Sequence, residues 1–123
     1  DENEAIETLT ALANRSAPRD SIADGARWLA FEGSLDALQH DRMADALDES
    51  IAKMDSGETL VIDLRAVDFI DSRAVGGLVR ALKLVSAKGG RMFLHGAGAS
   101  VSEIISLLRL DKLLPEWKGG TPA

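Results

Sequence analysis

Asp71 and Ser72 are the residues of this chain best placed to do chemistry. They follow a short apolar run, Leu60, Val61, Ile62 and Leu64, which Val67, Phe69 and Ile70 carry back to the core. Such a run predicts a strand covered on both faces. A helix is expected next, from about Ser72 to Lys88. Either Asp71 or Ser72 can set an oxygen over the first free amides of that helix. A serine hydroxyl in this place can also carry a phosphate, because free N–H groups and the helix dipole favour negative charge. As a plain cap the same serine contributes about 1 kcal/mol and no chemistry.

Other chemistries have weaker support. A hydrolase built from Ser72, His95 and Asp36 is conceivable where strand ends converge, but nothing like Gly-x-Ser-x-Gly surrounds Ser72. His40 and His95 have no companion ligands at metal spacing, so no metal site is expected. Gly96-Ala97-Gly98 resembles a dinucleotide-binding turn only in passing: it lies outside the first strand-helix unit and no acid follows at the required distance. It reads better as a turn feeding a Ser100-x-x-Glu103 capping box. No cofactor is expected, and Trp28 and Trp117 read as packing residues.

The elements that position Ser72 follow from pattern. Asp24-Gly25 is a two-residue turn signal, so Ser21 to Glu32 reads as a hairpin with Trp28, Ala30 and Glu32 on one face and Leu29 and Phe31 on the other. Met43, Leu47, Ile51 and Met54 mark one face of a helix over about Asp36 to Met54, stopped by Gly57. In the helix after Ser72, Val75, Leu78, Leu82 and Val85 should be buried. Arg73, Gly77, Arg80 and Leu84 follow one another on the other side, at spacings of four, three and four, and form a candidate partner surface. Gly89-Gly90 ends this helix, Arg91 to His95 is a further inner strand, and Val101, Ile104, Ile105 and Leu108 face inward from a last helix. The result is an α/β single domain, a sheet of about four strands, mostly parallel, with an antiparallel edge hairpin and flanking helices.

Residues 1–20 read as an N-terminal helix (3 to 14) and linker, 21–115 as the domain, and 116–123 as a tail. Ile6, Leu9 and Ala13 recur at helical spacing, and so short a helix is expected to dock on the domain, to dock on a second copy, or to fray, which leaves a homodimer open. The 123 residues suffice for one core. A formal net charge of −6 without a basic stripe argues against nucleic acid as a partner. There are no cysteines, as suits a reducing compartment, and no apolar run approaches the ~20 residues needed to span a bilayer. A cytoplasmic protein without direct membrane insertion is expected.

At Gly33-Ser34-Leu35-Asp36, Asp71-Ser72 and Gly89-Gly90 the chain resembles the STAS family, the sulphate-transporter and anti-sigma-factor-antagonist domains, and within it the bacterial anti-sigma-factor antagonists. The family pattern is a Gly-x-Leu-Asp turn, then a strand ending in Asp-Ser-[Ser/Thr]-Gly-Leu-Gly, a helix, Gly-Gly, a strand and a last helix. The resemblance runs from about Ser21 to Pro115. It implies a non-catalytic regulator whose partners are an anti-sigma factor that is also a serine kinase and a phosphatase. It implies that Ser72 is the phosphoacceptor and that Asp36 and Asp71 lie beside it. The unphosphorylated form would bind the anti-sigma factor, and the phosphorylated form would release it. Arg73 stands where the family has Ser or Thr, and Ala74-Val75 replaces Gly-Leu. A cation there can hold a phosphate, or can mark a member without the kinase cycle. The alternative is the cytoplasmic STAS module of an anion (SulP-type) transporter, or the accessory STAS subunit of a lipid ABC transporter.

Overall fold

The computed structural model describes residues 19–119, apart from 24, 37 and 38. The expected helix over 3–14 lies outside the described residues. Four strands, β1 (Arg19–Ala23), β2 (Ala26–Leu35), β3 (Thr59–Ile70) and β4 (Arg91–His95), form one sheet in the order β1-β2-β3-β4. Three helices, α1 (His40–Ala52), α2 (Ser72–Ala87) and α3 (Ala99–Leu107), alternate with them. β1 pairs antiparallel with β2, and the other pairs are parallel. The hairpin forms as the Asp-Gly signal predicts, with Gly25 at φ 73°, and β1 begins two residues before Ser21.

The strand order decides where the helices go. β2, β3 and β4 advance in one direction across the sheet, and right-handed crossovers in one direction put their helices on one side. Accordingly Met43, Leu47 and Ile51 of α1, Val75, Leu78 and Val85 of α2, and Val101 and Ile105 of α3 all belong to one core with Leu29, Leu60, Ile62 and Leu64. The other face carries a small cluster of Ala26, Trp28 and Val61, with Ala23, Phe93 and Trp117 beside it, none of them on a described helix.

Several local expectations shift. α1 starts at His40, behind a turn that spans Asp36 to Gln39, and ends at Ala52, so Gly57 belongs to the turn into β3. The Ser100–Glu103 capping box does not form. Gly98 caps α3 in extended conformation, which places Ser100 inside the first turn, and Ser102 donates instead to the Ala97 carbonyl. Leu108, expected inside, is half exposed where α3 ends. The segment after α3 does not simply trail off. Leu94 N–H donates to the Pro115 carbonyl and Trp117 N–H to the Leu94 carbonyl, at 2.9 and 2.7 Å, which covers part of the β4 edge. Among the described residues no helix is long and apolar enough to cross a membrane.

Candidate functional site

β2 and β3 run on beyond β4. His95, the last residue of β4, is level with Asp63, whereas β3 continues to Ile70. At about 3.3 Å per residue the tip stands roughly 20 Å further along. The two strands end together there, with Leu35 level with Ile70, and two register shifts, each adding one residue on the β3 side, bring Ser34 opposite Phe69. The Asp71 N–H donates to the Leu35 carbonyl at 3.1 Å. The loop opened by Asp36 and the one opened by Asp71 therefore leave the sheet as neighbours, about 4.8 Å apart in backbone.

Of the two residues able to cap α2, Asp71 does so. Its backbone is extended (φ −98°, ψ 174°) and its Oδ1 accepts the Ala74 N–H at 2.8 Å. Ser72 is then the first residue of the helix, and both it and Arg73 are exposed. The hydroxyl is thus at the positive end of a sixteen-residue helix without being the group that holds that end together. Asp36 is half-buried in its own turn, its carbonyl and its Oδ1 both meeting the Gln39 N–H at 3.0 and 3.3 Å.

Two residues at this tip escape sequence reasoning. Asp68 accepts the Ser34 hydroxyl at 3.2 Å, which adds a third carboxylate near the strand ends. Phe69, expected in the core, is 46% exposed. The register shifts break the simple alternation of faces along β2 and β3, so counting by twos mislocates it. The tip thus combines an exposed hydroxyl, the acids Asp36, Asp68 and Asp71, the cation Arg73, and an exposed aromatic ring.

The stripe on α2 is not a uniform solvated face. Gly77 is half-buried towards α1, where a Cβ would sit 3.7 Å from Met43 Cε. Arg80 reaches α1 as well, its Nη1 2.8 Å from Asp48 Oδ1. Leu84 is 37% exposed. Gly76, one residue off the stripe, is exposed, and nothing comes within 4 Å of where its Cβ would be.

The hydrolase arrangement is not assembled, because His95 lies a strand-length from Ser72, edge-on to Trp28 with centroids 5.4 Å apart. Among the described residues no three His, Cys, Asp or Glu side chains gather to hold a metal. One further polar feature stands on the aromatic face. Asp63 is buried, and Arg65 grips it with Nε at 3.0 Å and Nη2 at 2.6 Å. Burial alone would raise the Asp63 carboxyl. The Arg65 side-chain and backbone hydrogen bonds, with the charges of Arg65 and His95, outweigh it and hold the group below its ordinary value. The signal in the sequence is an acid inside an apolar run with an arginine two residues on, hence on the same face.

The chain is 28% identical over 85 residues, 69% of its length and 72% of the relative's, to an anti-sigma F factor antagonist of Paenibacillus polymyxa. Its fold is similar to an anti-sigma-factor antagonist (STAS) domain protein of Planctomyces limnophilus, with a TM-score of 0.74, 18% identity, and 81% and 87% of the two chains covered. It is also similar to the Bacillus cell fate determinant SpoIIAA in its phosphorylated form, with a TM-score of 0.62, 15% identity, and 83% and 92% covered. The STAS domain model matches residues 17–118, which contain every described strand and helix, and the chain belongs to the STAS domain family.

Proposed function

We propose that this protein is an anti-sigma-factor antagonist that works by partner switching, with Ser72 as its switch. In this reading the unphosphorylated chain binds an anti-sigma factor that is also a serine kinase, and so frees a sigma factor. The kinase transfers the γ-phosphoryl group of ATP to Ser72 Oγ, leaving ADP, while the hydroxyl proton passes to a base of the kinase. A phosphatase restores the hydroxyl by hydrolysis with water. The chain supplies a binding surface and an acceptor, not a catalyst.

The observation that carries this reading is the division of labour at the head of α2: Asp71 caps and Ser72 is exposed. A phosphate adds about −1.5 to −2 charges there at neutral pH. The helix terminus tolerates it, so the fold need not change. The local field does change, because a double charge is added beside Asp71, whose carboxylate already caps the helix. A partner that packs on the neutral serine and on Phe69 then meets a desolvated double charge. A loss of ~1.4 kcal/mol is tenfold in affinity, so a few such units turn a tight complex into a weak one. Gly76 fits the same surface. A glycine in an exposed helix interior costs about 0.5–1 kcal/mol relative to alanine, and bare backbone on that face lets a partner approach closely. The Arg73, Gly77, Arg80 and Leu84 stripe would continue the contact along α2 for about 16 Å, at 1.5 Å per residue.

The test is intact-mass analysis after incubation with the cognate kinase and ATP. One added phosphate is expected on the wild type and none on Ser72→Ala. A wild-type chain that stays unmodified with a kinase it binds would sink the switch. The complex itself is probed by Arg80→Glu, which should weaken it at least tenfold, an order of magnitude set by ~1.4 kcal/mol. Unchanged affinity would clear the stripe of any role.

A further inference from the structure

β4 is an end strand of the sheet, and the segment after α3 bridges to it at one residue, Leu94. The Leu94 N–H and carbonyl point away from β3 and are taken by Pro115 and Trp117. Backbone groups alternate in direction along a strand, so those of Met92 point the same way. The Arg91 N–H, one residue earlier, turns inward to the Glu58 carbonyl at 3.2 Å. Among the described residues no group bonds the Met92 N–H or carbonyl from the open side. An open strand edge is a template for another strand.

A groove of about 260 Å³ opens at that place, with Met92, Phe93, Leu113 and Leu82 of α2 as its apolar lining. Leu113 is 54% exposed, so the groove is accessible from that side. Arg91 and Lys112 also line it, both are exposed, and no lining residue is acidic. Among the described residues neither cation is in an ion pair. The acids nearest in sequence, Asp111 and Glu116, line a separate recess against Ser102 and Ile105. In a chain of net charge −6, the groove is a local reversal of sign.

We propose that this edge of β4 takes an extended segment of a partner protein, which pairs with Met92 as an added strand and alternates apolar with acidic side chains. The backbone pair of Met92 selects a strand, because a strand offers both a carbonyl and an N–H at that spacing. The alternation follows from the pleat, which sends successive side chains to opposite faces. Met92 faces the core that Leu82 borders. Phe93 faces the aromatic side, which Arg91, two residues before it, shares. An added strand therefore lays one apolar side chain towards Leu82 and the next, a carboxylate, towards Arg91. Lys112 supplies a second positive charge on the rim. Residues 91 to 93 offer about 10 Å of edge at ~3.3 Å per residue, so a short segment suffices. Ser86, which also lines the groove, lies about 21 Å along α2 from Ser72 at 1.5 Å per residue. This surface is therefore separate from the switch.

The probe is a short fluorescein-labelled peptide alternating glutamate and valine, titrated into the full chain and followed by anisotropy and amide hydrogen exchange. Binding is expected, with slowed exchange of the Met92 N–H. The same peptide N-methylated at its valines should bind about tenfold more weakly, because it cannot donate to the edge. A lysine–valine peptide should lose at least as much, and so should the original peptide on Arg91→Glu with Lys112→Glu. Ser72→Asp should leave the affinity unchanged, which keeps this test independent of the switch. Far-UV circular dichroism and a cooperative melt establish that each variant keeps the domain. No binding at about 1 mM peptide, or equal affinity for the N-methylated form, would overturn the proposal. So would a wild-type dimer in sedimentation whose Met92 N–H is protected without peptide, since a second copy would then close the edge. Capture by phosphatidylglycerol vesicles without any binding of the peptide would assign the surface to a membrane instead.

Discussion

The two ends of α2 are built for opposite purposes. At its C-terminal end several groups are engaged. Lys88 Nζ donates to the Ile51 and Met54 carbonyls, at 2.6 and 3.1 Å, at the end of α1 and just beyond it. Gly89 turns the chain at φ 72°, Gly90 passes so close to the Glu58 carbonyl and Val85 that no Cβ fits, and the Lys88 carbonyl receives the Gly57 N–H at 3.0 Å. At the N-terminal end one carboxylate, Asp71, does the structural work, and the next two side chains are exposed. One end anchors the helix against α1 and the turn into β3. The other presents a residue whose replacement leaves the anchor untouched. That separation lets a helix carry a modification site without risking its fold.

The contrast is open to measurement, and the largest effect is expected at the anchored end. Gly90→Ala drives a Cβ into backbone, and overpacking of that kind costs about 3 kcal/mol. A melting temperature within a degree of wild type would show that the turn has room to yield. Lys88→Met removes the donor to two carbonyls and should cost about 2 kcal/mol in chemical denaturation, in line with hydrogen bonds to charged groups. At the other end Asp71→Ala should cost about 1 kcal/mol, the usual value of a lost cap. Ser72→Asp should move stability by less than about 0.5 kcal/mol, as surface changes do. If Ser72→Asp unfolded the domain as readily as Lys88→Met, the two ends would not differ in kind.

Much of this was legible in the sequence because it rests on periodicity. Met43, Leu47, Ile51 and Met54 announce the buried side of α1, Asp24-Gly25 the hairpin, and Gly89-Gly90 the end of α2. What was not legible depends on choices between neighbours. Asp71 and Ser72 are both good caps, and only the extended backbone of Asp71 decides between them. The same one- or two-residue ambiguity misplaced the cap of α3, which falls to Gly98 rather than Ser100. Phe69 was lost to a register shift between two strands, a property of the pair and not of either sequence alone. The placement of the three described helices on one side needs the strand order, and periodicity says nothing of that. The Arg80–Asp48 pair likewise joins two helices whose relative setting no local pattern contains.

The hydrogen bond from Asp71 to the Leu35 carbonyl has a consequence for recognition. It ties the loop of Asp36 to the loop of Ser72 before any visitor arrives. Residues thirty-odd positions apart in the chain thereby leave the sheet side by side. A protein that reads both loops, as the proposed function requires, would give up less ordering entropy to bring them together, and one chemical change between them would then act mainly on its dissociation rate.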